Sequence, residues 1–269
     1  MKNVSSFLQS MSVVIITGGS SGIGESILKA ISHYKPEMRF FNLSRSSVEI
    51  NLKNLTHIPC DLSDSAELTA ALGVLKDGLK TVPQGKILLI NNAGYGLYGL
   101  VPQMDKAGLL GMLDLNNRAM VQLTLELLPQ MIERGGGIIN VSSIAAYVPT
   151  PTLAVYGATK AFVLSWGMAL REELKAQGIN VLTVCPGPTA TKFFSRAGFE
   201  KSPLPPVIGR TPDFVAKRAL NAAAKNRALI TTGWTNKLLR WVCAVVPREL
   251  GVPISFGVLK FVRLRSLKK

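Results

Sequence analysis

Cysteine and histidine are scarce in this chain of 269 residues: Cys60, Cys185 and Cys243 are its only thiols, His33 and His57 its only imidazoles. The cysteines form no Cys-x-x-Cys pair and share no ligand spacing with the histidines, which argues against a disulfide framework and a zinc centre. No metal is expected, and reduced, mostly buried thiols point to a reducing compartment. Long apolar runs are missing too. No stretch approaches the roughly 20 apolar residues of a membrane span, and Met1 to Ser10 has no continuous apolar core of the kind a secretory signal carries. A cytoplasmic protein is the expectation, with residues 1–11 an N-terminal extension, the first ten loosely held, and Met11 an alternative start. Acidic groups run out toward the end. Residues 1–195 carry 16 basic and 13 acidic side chains, residues 196–269 carry 15 and 3, so twelve of the fifteen excess charges fall in the last quarter.

What is present is an alternation of short β-branched runs with amphipathic stretches, in a length suited to one large domain. Val13-Val14-Ile15-Ile16-Thr17 reads as a parallel strand buried on both faces. Gly18-Gly19-Ser20-Ser21-Gly22-Ile23-Gly24 follows and leads into a helix. Such a turn lets backbone N–H groups approach a pyrophosphate, with the helix N-terminus adding favourable partial charge. The same turn matches the Gly-x-Ser-x-Gly nucleophile elbow, but a hydrolase of that order needs a histidine late in the chain, and none follows His57.

A second strand, Arg39 to Leu43, ends at Ser44-Arg45-Ser46-Ser47. An acid there would hold the ribose 2′-OH of NAD; Ser44 stands in its place and Arg45 offers a cation for a 2′-phosphate, which favours NADP(H) over NAD(H). The plainer reading of Arg45 is a solvated surface arginine. His57 to Asp61 forms a third strand, where Asp61-Leu62 either touches an adenine or Asp61 caps the helix that Ser63-Asp64 begins. Lys86 to Ile90 is the fourth and runs into Asn91-Asn92-Ala93-Gly94, small and polar enough for a ribose to approach, or asparagines that stitch strands together. A long helix over about 106–134 carries Asn116. A strand from Gly135 to Ser143, a helix over about 152–177 and a strand Asn180 to Cys185, terminated by Pro186-Gly187-Pro188, complete the alternation, and Ala228 to Thr232 reads as the last strand. This rhythm specifies right-handed βαβ units in a Rossmann-type, doubly wound parallel sheet with helices on both faces: α/β, a single domain over 12–233.

Tyr156 and Lys160, four apart on a helix, share a face, and Ser143 ends the strand before them. A phenol beside a fixed cation is a tunable proton donor to a carbonyl.

With the glycine turn, Asn91-Asn92-Ala93-Gly94, Ser143, Tyr156-x-x-x-Lys160 and Pro186-Gly187 in order, residues 12–195 resemble the short-chain dehydrogenase/reductase family. The resemblance implies a catalytic tetrad of Asn116, Ser143, Tyr156 and Lys160. It also implies a nucleotide loop spanning Thr17, Gly18, Gly22 and Gly24, and a segment closing over the nicotinamide with backbone near Thr189 and the hydroxyl of Thr191. Ser143 and Tyr156 would meet charge developing on the carbonyl oxygen, Tyr156 would give the proton, Lys160 would depress its pKa and hold the ribose, and Asn116 would position a water. Two departures stand out. Asn117-Arg118 replaces small apolar residues, and Ser21 occupies a place that is basic in some NADP-dependent members, leaving the phosphate to Arg45 with help from Ser20, Ser44 and Ser46. A non-catalytic NADP-binding sensor or scaffold of the same fold is the rival reading.

For the substrate, Tyr95, Leu97 and Tyr98, then Ile144, Ala145 and Val148, then Phe193 and Phe194 form mostly apolar walls, pointing to a hydrophobic ketone or aldehyde or the corresponding alcohol. Phe193 to Arg210, within a span of about 188–211, reads as a mobile lid. The family commonly pairs through the helices at about 106–134 and 152–177, so a homodimer is expected. In residues 234–269, basic and apolar side chains interleave. No nucleic-acid module appears, and two expectations stand: a segment packed over the core or the substrate mouth, broken at Pro247 and Pro253, or one that touches a membrane surface peripherally.

Overall fold

The structure, a computed structural model, describes residues 2–197 and 210–267. Seven strands form one parallel sheet: β1 (Met11–Thr17), β2 (Arg39–Ser44), β3 (Leu55–Pro59), β4 (Lys86–Asn91), β5 (Gly136–Val141), β6 (Ile179–Cys185) and β7 (Leu229–Thr231). Their order is β3-β2-β1-β4-β5-β6-β7. The chain therefore winds one way from β1 to β3, returns past β1, and winds the other way, which leaves a crevice at the carboxyl ends of β1 and β4. The central strands are apolar on both faces, as their β-branched runs require. One face is covered by α3 (Ser65–Lys80), α5 (Ala119–Arg134) and α6 (Ala154–Glu173), the other by α1 (Lys2–Gln9), α2 (Gly22–Tyr34) and α8 (Pro212–Ala224).

Three expectations need correction. Residues 2–9 are not loosely held: α1 buries Val4 and Leu8, four apart on one face, in the core with α2 and α8. Lys35 fastens the junction by donating from Nζ to the Met11 carbonyl at 2.7 Å. The helix expected over 106–134 is α4 (Lys106–Leu113) joined to α5 through one π-helical turn, Asp114–Arg118. Beyond α9 (Trp234–Val245), Pro247 does end a helix, but α10 (Arg248–Leu267) runs through Pro253. As the sixth residue of α10, Pro253 has no N–H to give to the Glu249 carbonyl, so the helix continues there at the cost of that bond.

The short helix α7 (Phe193–Arg196) follows the loop after β6. Ala190 N donates to the Arg210 carbonyl and Arg210 N to that of Pro188, both at 3.0 Å, closing the base of the expected lid; residues 198–209, its larger part, lie outside the described residues.

Candidate active site

The crevice opens into a cavity of about 960 Å³ that runs from the glycine loop to the tail helices. At its nucleotide end, Gly18, Ser20, Ser21, Gly22 and Ile23 line the wall. Gly22 has φ +60, a left-handed conformation that side chains resist, and Ser21 makes no side-chain cap, so the first amides of α2 are left to a ligand. Gly24 and Thr17 sit behind the wall. A Cβ on Gly24 would meet the Gly18 carbonyl at 2.4 Å. Thr17 Oγ1 accepts from the amides of Asn92 and Ala93, and Asn92 Nδ2 donates to the carbonyls of Thr17 and Gly18, each at 3.0 or 3.1 Å. Asn92 thus stitches β1 to β4 and lines the cavity, while Asn91 is wholly a stitch, donating to Asn140 and Thr124. Asn42, not singled out from the sequence, anchors the loop by accepting from Gly19 N at 2.8 Å. Its signal was visible: one amide in an otherwise apolar buried strand.

Next along the cavity come Ser44, Arg45, Ser46, Asp61 and Leu62. The Ser44 hydroxyl donates to the Ser46 carbonyl and accepts from Asn42 Nδ2, so it is spent on the loop itself. Arg45, its side chain 68% exposed, stands 3.6 Å from Asp61. Burial pushes the Asp61 carboxyl up, but bonds from the Ser63 hydroxyl and amide, with Arg45 beside it, outweigh this and hold it below its ordinary value. Asp64, not Asp61, caps α3, accepting from the amides of Ala66 and Glu67, because only Asp64 directly precedes the helix. Arg118 braces that end of the cavity from behind: it bonds Asp114 within the π turn and reaches the Ser63 carbonyl at 2.8 Å.

Ser143, Tyr156 and Lys160 meet beneath Ala93 and Gly94, at the floor of the cavity. Ser143, at the carboxyl end of β5, accepts from Ala145 N, and its hydroxyl favours the Tyr156 phenolate. Tyr156 and Lys160 are both buried, and Lys160 Nζ donates to the Val141 carbonyl at 2.9 Å, lying 5.9 Å from the Tyr156 ring centre. The expected depression of the phenol by Lys160 does not hold. Burial, opposed by the Ser143 hydroxyl, pushes Tyr156 up to about 12, and burial pushes Lys160 down to about 8. Desolvation disfavours both charged forms and is the largest cause at each.

Asn116 sits in the π turn, a common position for functional residues. Both of its amide protons are committed, to the Tyr95 carbonyl and to Thr159 Oγ1 at 3.0 Å each, so they are not free to position a water. Gly94 keeps this corner open: a Cβ there would lie 3.0 Å from Asn116 Oδ1 and 3.2 Å from Lys160 Nζ. Asn117 ties the turn to α6 through the Thr159 carbonyl.

Pro186, Gly187, Thr189 and Thr191 line the opposite wall. Gly187 is hemmed in by Asn236 of α9, whose Nδ2 would sit 2.0 Å from a Cβ there and donates to the Thr232 carbonyl. The six expected substrate-wall residues, Tyr95, Leu97, Ile144, Ala145, Phe193 and Phe194, all line the cavity. Phe193 leans on Tyr156 with ring centres 5.2 Å apart. The tail adds what the sequence reading left open. Val242 of α9, Val246 just past it and Leu259 of α10 close the apolar end, fastened by Tyr98 Oη donating to the Leu259 carbonyl at 3.1 Å and Ser255 Oγ to that of Pro149 at 3.0 Å.

The donor set fits a dinucleotide: uncapped helix amides, a cation and hydroxyls at one end, and a buried Ser-Tyr-Lys cluster at the other. The family model described as short chain dehydrogenase matches residues 12–201. A very-long-chain 3-oxoacyl-CoA reductase from Mus musculus is 31% identical over 268 residues, covering 95% of this chain and 82% of the relative. Among solved structures, the short-chain dehydrogenase from Sphingobium yanoikuyae in complex with NADPH aligns with TM-score 0.75 at 25% identity, covering 88% of this chain and 97% of that one. The 3-ketoacyl-(acyl-carrier-protein) reductase from Brucella melitensis complexed with NADH gives 0.70 at 26% identity, with 82% and 96% covered. The chain belongs to the short-chain dehydrogenase/reductase family, oxidoreductases that act on CH–OH or carbonyl groups with a nicotinamide cofactor.

Proposed function

We propose that the protein is an NADPH-dependent reductase of hydrophobic ketones or aldehydes, working in a reducing cytoplasm that suits its three free thiols. The observation that carries this reading is one continuous cavity with the Gly18–Ile23 loop and Arg45 at one end, Ser143, Tyr156 and Lys160 at its floor, and an apolar chamber above Tyr156. A reduced nicotinamide bound along the loop supplies the hydride. Ser143 and Tyr156 orient the carbonyl by hydrogen bonds to its oxygen, where charge develops. A phenol held at about 12 is protonated at neutral pH, so Tyr156 is loaded as the acid for reduction. Lys160 holds the ribose hydroxyls near Gly94, and Asn116 fixes the Tyr95 backbone that forms the chamber wall. The aromatic and aliphatic lining excludes water and selects apolar substrates.

Selectivity for the phosphorylated cofactor is assigned to Arg45. Its pair with Asp61 is exposed and worth little, so turning to a 2′-phosphate costs little. Arg45→Asp is expected to raise KM for NADPH by about a hundredfold or more, the scale of losing a charge-assisted contact and adding repulsion, with NADH almost unaffected. Steady-state kinetics with both cofactors on aryl, long-chain and hydrophilic carbonyls checks this; equal losses on both cofactors refute the assignment of Arg45, and preference for hydrophilic substrates refutes the apolar one.

A homodimer is supported by exposed apolar residues on three helices, Leu110 and Leu113 on α4, Leu125 on α5, and Phe162 and Met168 on α6. Light scattering at micromolar concentration should give the mass of two chains, and a monomer mass would contradict the pairing.

A further inference from the structure

The two C-terminal helices are apolar on more than one side. Their inner residues close the cavity, yet α9 carries a second set, Trp234, Leu238, Trp241 and Val245, at the spacing of a single helical stripe. That stripe faces solvent, with Trp234 70% and Trp241 65% exposed. On α10, Leu250, Ile254 and Val258 follow at intervals of four and are exposed as well. Ile254 and Val258 also line the cavity, so the apolar outer surface continues into its mouth. Lys237 and Lys260 are exposed on the same two helices, and over residues 234–269 eight lysines and arginines stand against one acid, Glu249.

We infer that α9 and α10 seat the mouth of the cavity on an anionic lipid bilayer, the Trp234–Val245 stripe entering the headgroup region. Charge decides the occupant. A second copy meeting this face by two-fold symmetry sets Lys237 and Lys260 against their like, in a stretch whose sequence holds a single acid, whereas an anionic surface complements them. Exposed tryptophans suit an interface that is apolar on one side and wet on the other. Among the described residues no helix is long and apolar enough to cross a membrane, so the helices lie on the surface. Asn236, packed against Gly187, ties the docked helix directly to the loop over the nicotinamide site. Entry of a carbonyl substrate from the bilayer rests on the reductase reading; docking itself does not.

The test is sedimentation of the full chain with phosphatidylcholine vesicles, with and without phosphatidylserine, at low and high salt. The expected result is binding to the phosphatidylserine vesicles that weakens with salt. Lys237→Gln should lower partitioning about fivefold, the effect of one cation at an anionic surface. Trp234→Ser with Trp241→Ser should lower it on the order of a hundredfold, as two large apolar groups are lost. Neither change touches the cavity, so turnover of a water-soluble ketone should stay as in the parent. Absence of an anionic preference, or a double variant that binds as the parent does, overturns the inference. So does a drop of that variant to a lower mass in light scattering, which assigns the stripe to a second copy. Vesicle binding by a protein that turns over no carbonyl upholds the docking surface and refutes only the reductase reading.

Discussion

Tyr156→Phe is expected to lower kcat by at least about a hundredfold, the ordinary worth of a positioned general acid, while leaving NADPH affinity within about twofold. The ring stays and only the hydroxyl goes, so packing against Phe193 and the cavity floor is kept. Single-turnover kinetics and cofactor titration by fluorescence separate the two effects. Substantial turnover by the variant would remove Tyr156 as the acid. The parent has a matching signature in pH. With the phenol held at about 12 and Lys160 charged below about 8, carbonyl reduction should be flat through neutral solution. Alcohol oxidation, which needs the phenolate, should climb throughout the same range.

Lys160→Met is expected to stabilise the fold at neutral pH and to disable it catalytically. Lys160 is 5% exposed, and its ammonium falls from an ordinary 10.5 to about 8. Below about pH 8 the group is charged in the folded and unfolded chains alike, and burying that charge costs the fold on the order of 3 kcal/mol. As pH rises from about 8 to 10.5 the unfolded chain still holds a proton that the fold has shed, so the parent gains stability and the penalty vanishes. Methionine removes the penalty but leaves the Val141 carbonyl without its donor, which returns about 1–3 kcal/mol. The variant should therefore melt above the parent at neutral pH and lose that advantage by about pH 10.5. Tyr156 acts in the opposite sense above about pH 10, where the unfolded phenol ionises first, and it does so in both proteins. Calorimetry across this range checks the linkage: a difference in Tm that does not change with pH contradicts the buried charge. Loss of a charged hydrogen-bond donor to the ribose should cost about tenfold or more in kcat/KM.

The sheet was legible because its strands are uninterrupted β-branched runs, a pattern that burial on both faces produces. The site was legible for a related reason: polar residues at strand ends, such as Thr17, Asn92 and Ser143, break an otherwise apolar rhythm. What escaped was set by tertiary packing. Val4, Phe7 and Leu8 have helical spacing, but too few apolar neighbours to stand out from a loose leader. The π turn at Asn116 leaves the apolar periodicity of 106–134 almost unaltered. The depression of Tyr156 by Lys160 followed from their spacing only so long as solvent was assumed; enclosure reversed the direction of the phenol's shift. The tail divided differently, since interleaved charges and aliphatics describe a helix with two apolar sides as well as one packed all round.

The paired backbone bonds between Pro188, Ala190 and Arg210 fasten both ends of the intervening segment to one spot beside β6. Doubling the chain between two fixed points costs only about 0.6 kcal/mol of closure entropy, so residues can be added or removed between Ala197 and Arg210 while Thr189, Phe193 and α8 keep their positions. Evolution, or an engineer grafting segments from relatives, can exchange that stretch as a cassette, without renegotiating the chemistry around Tyr156.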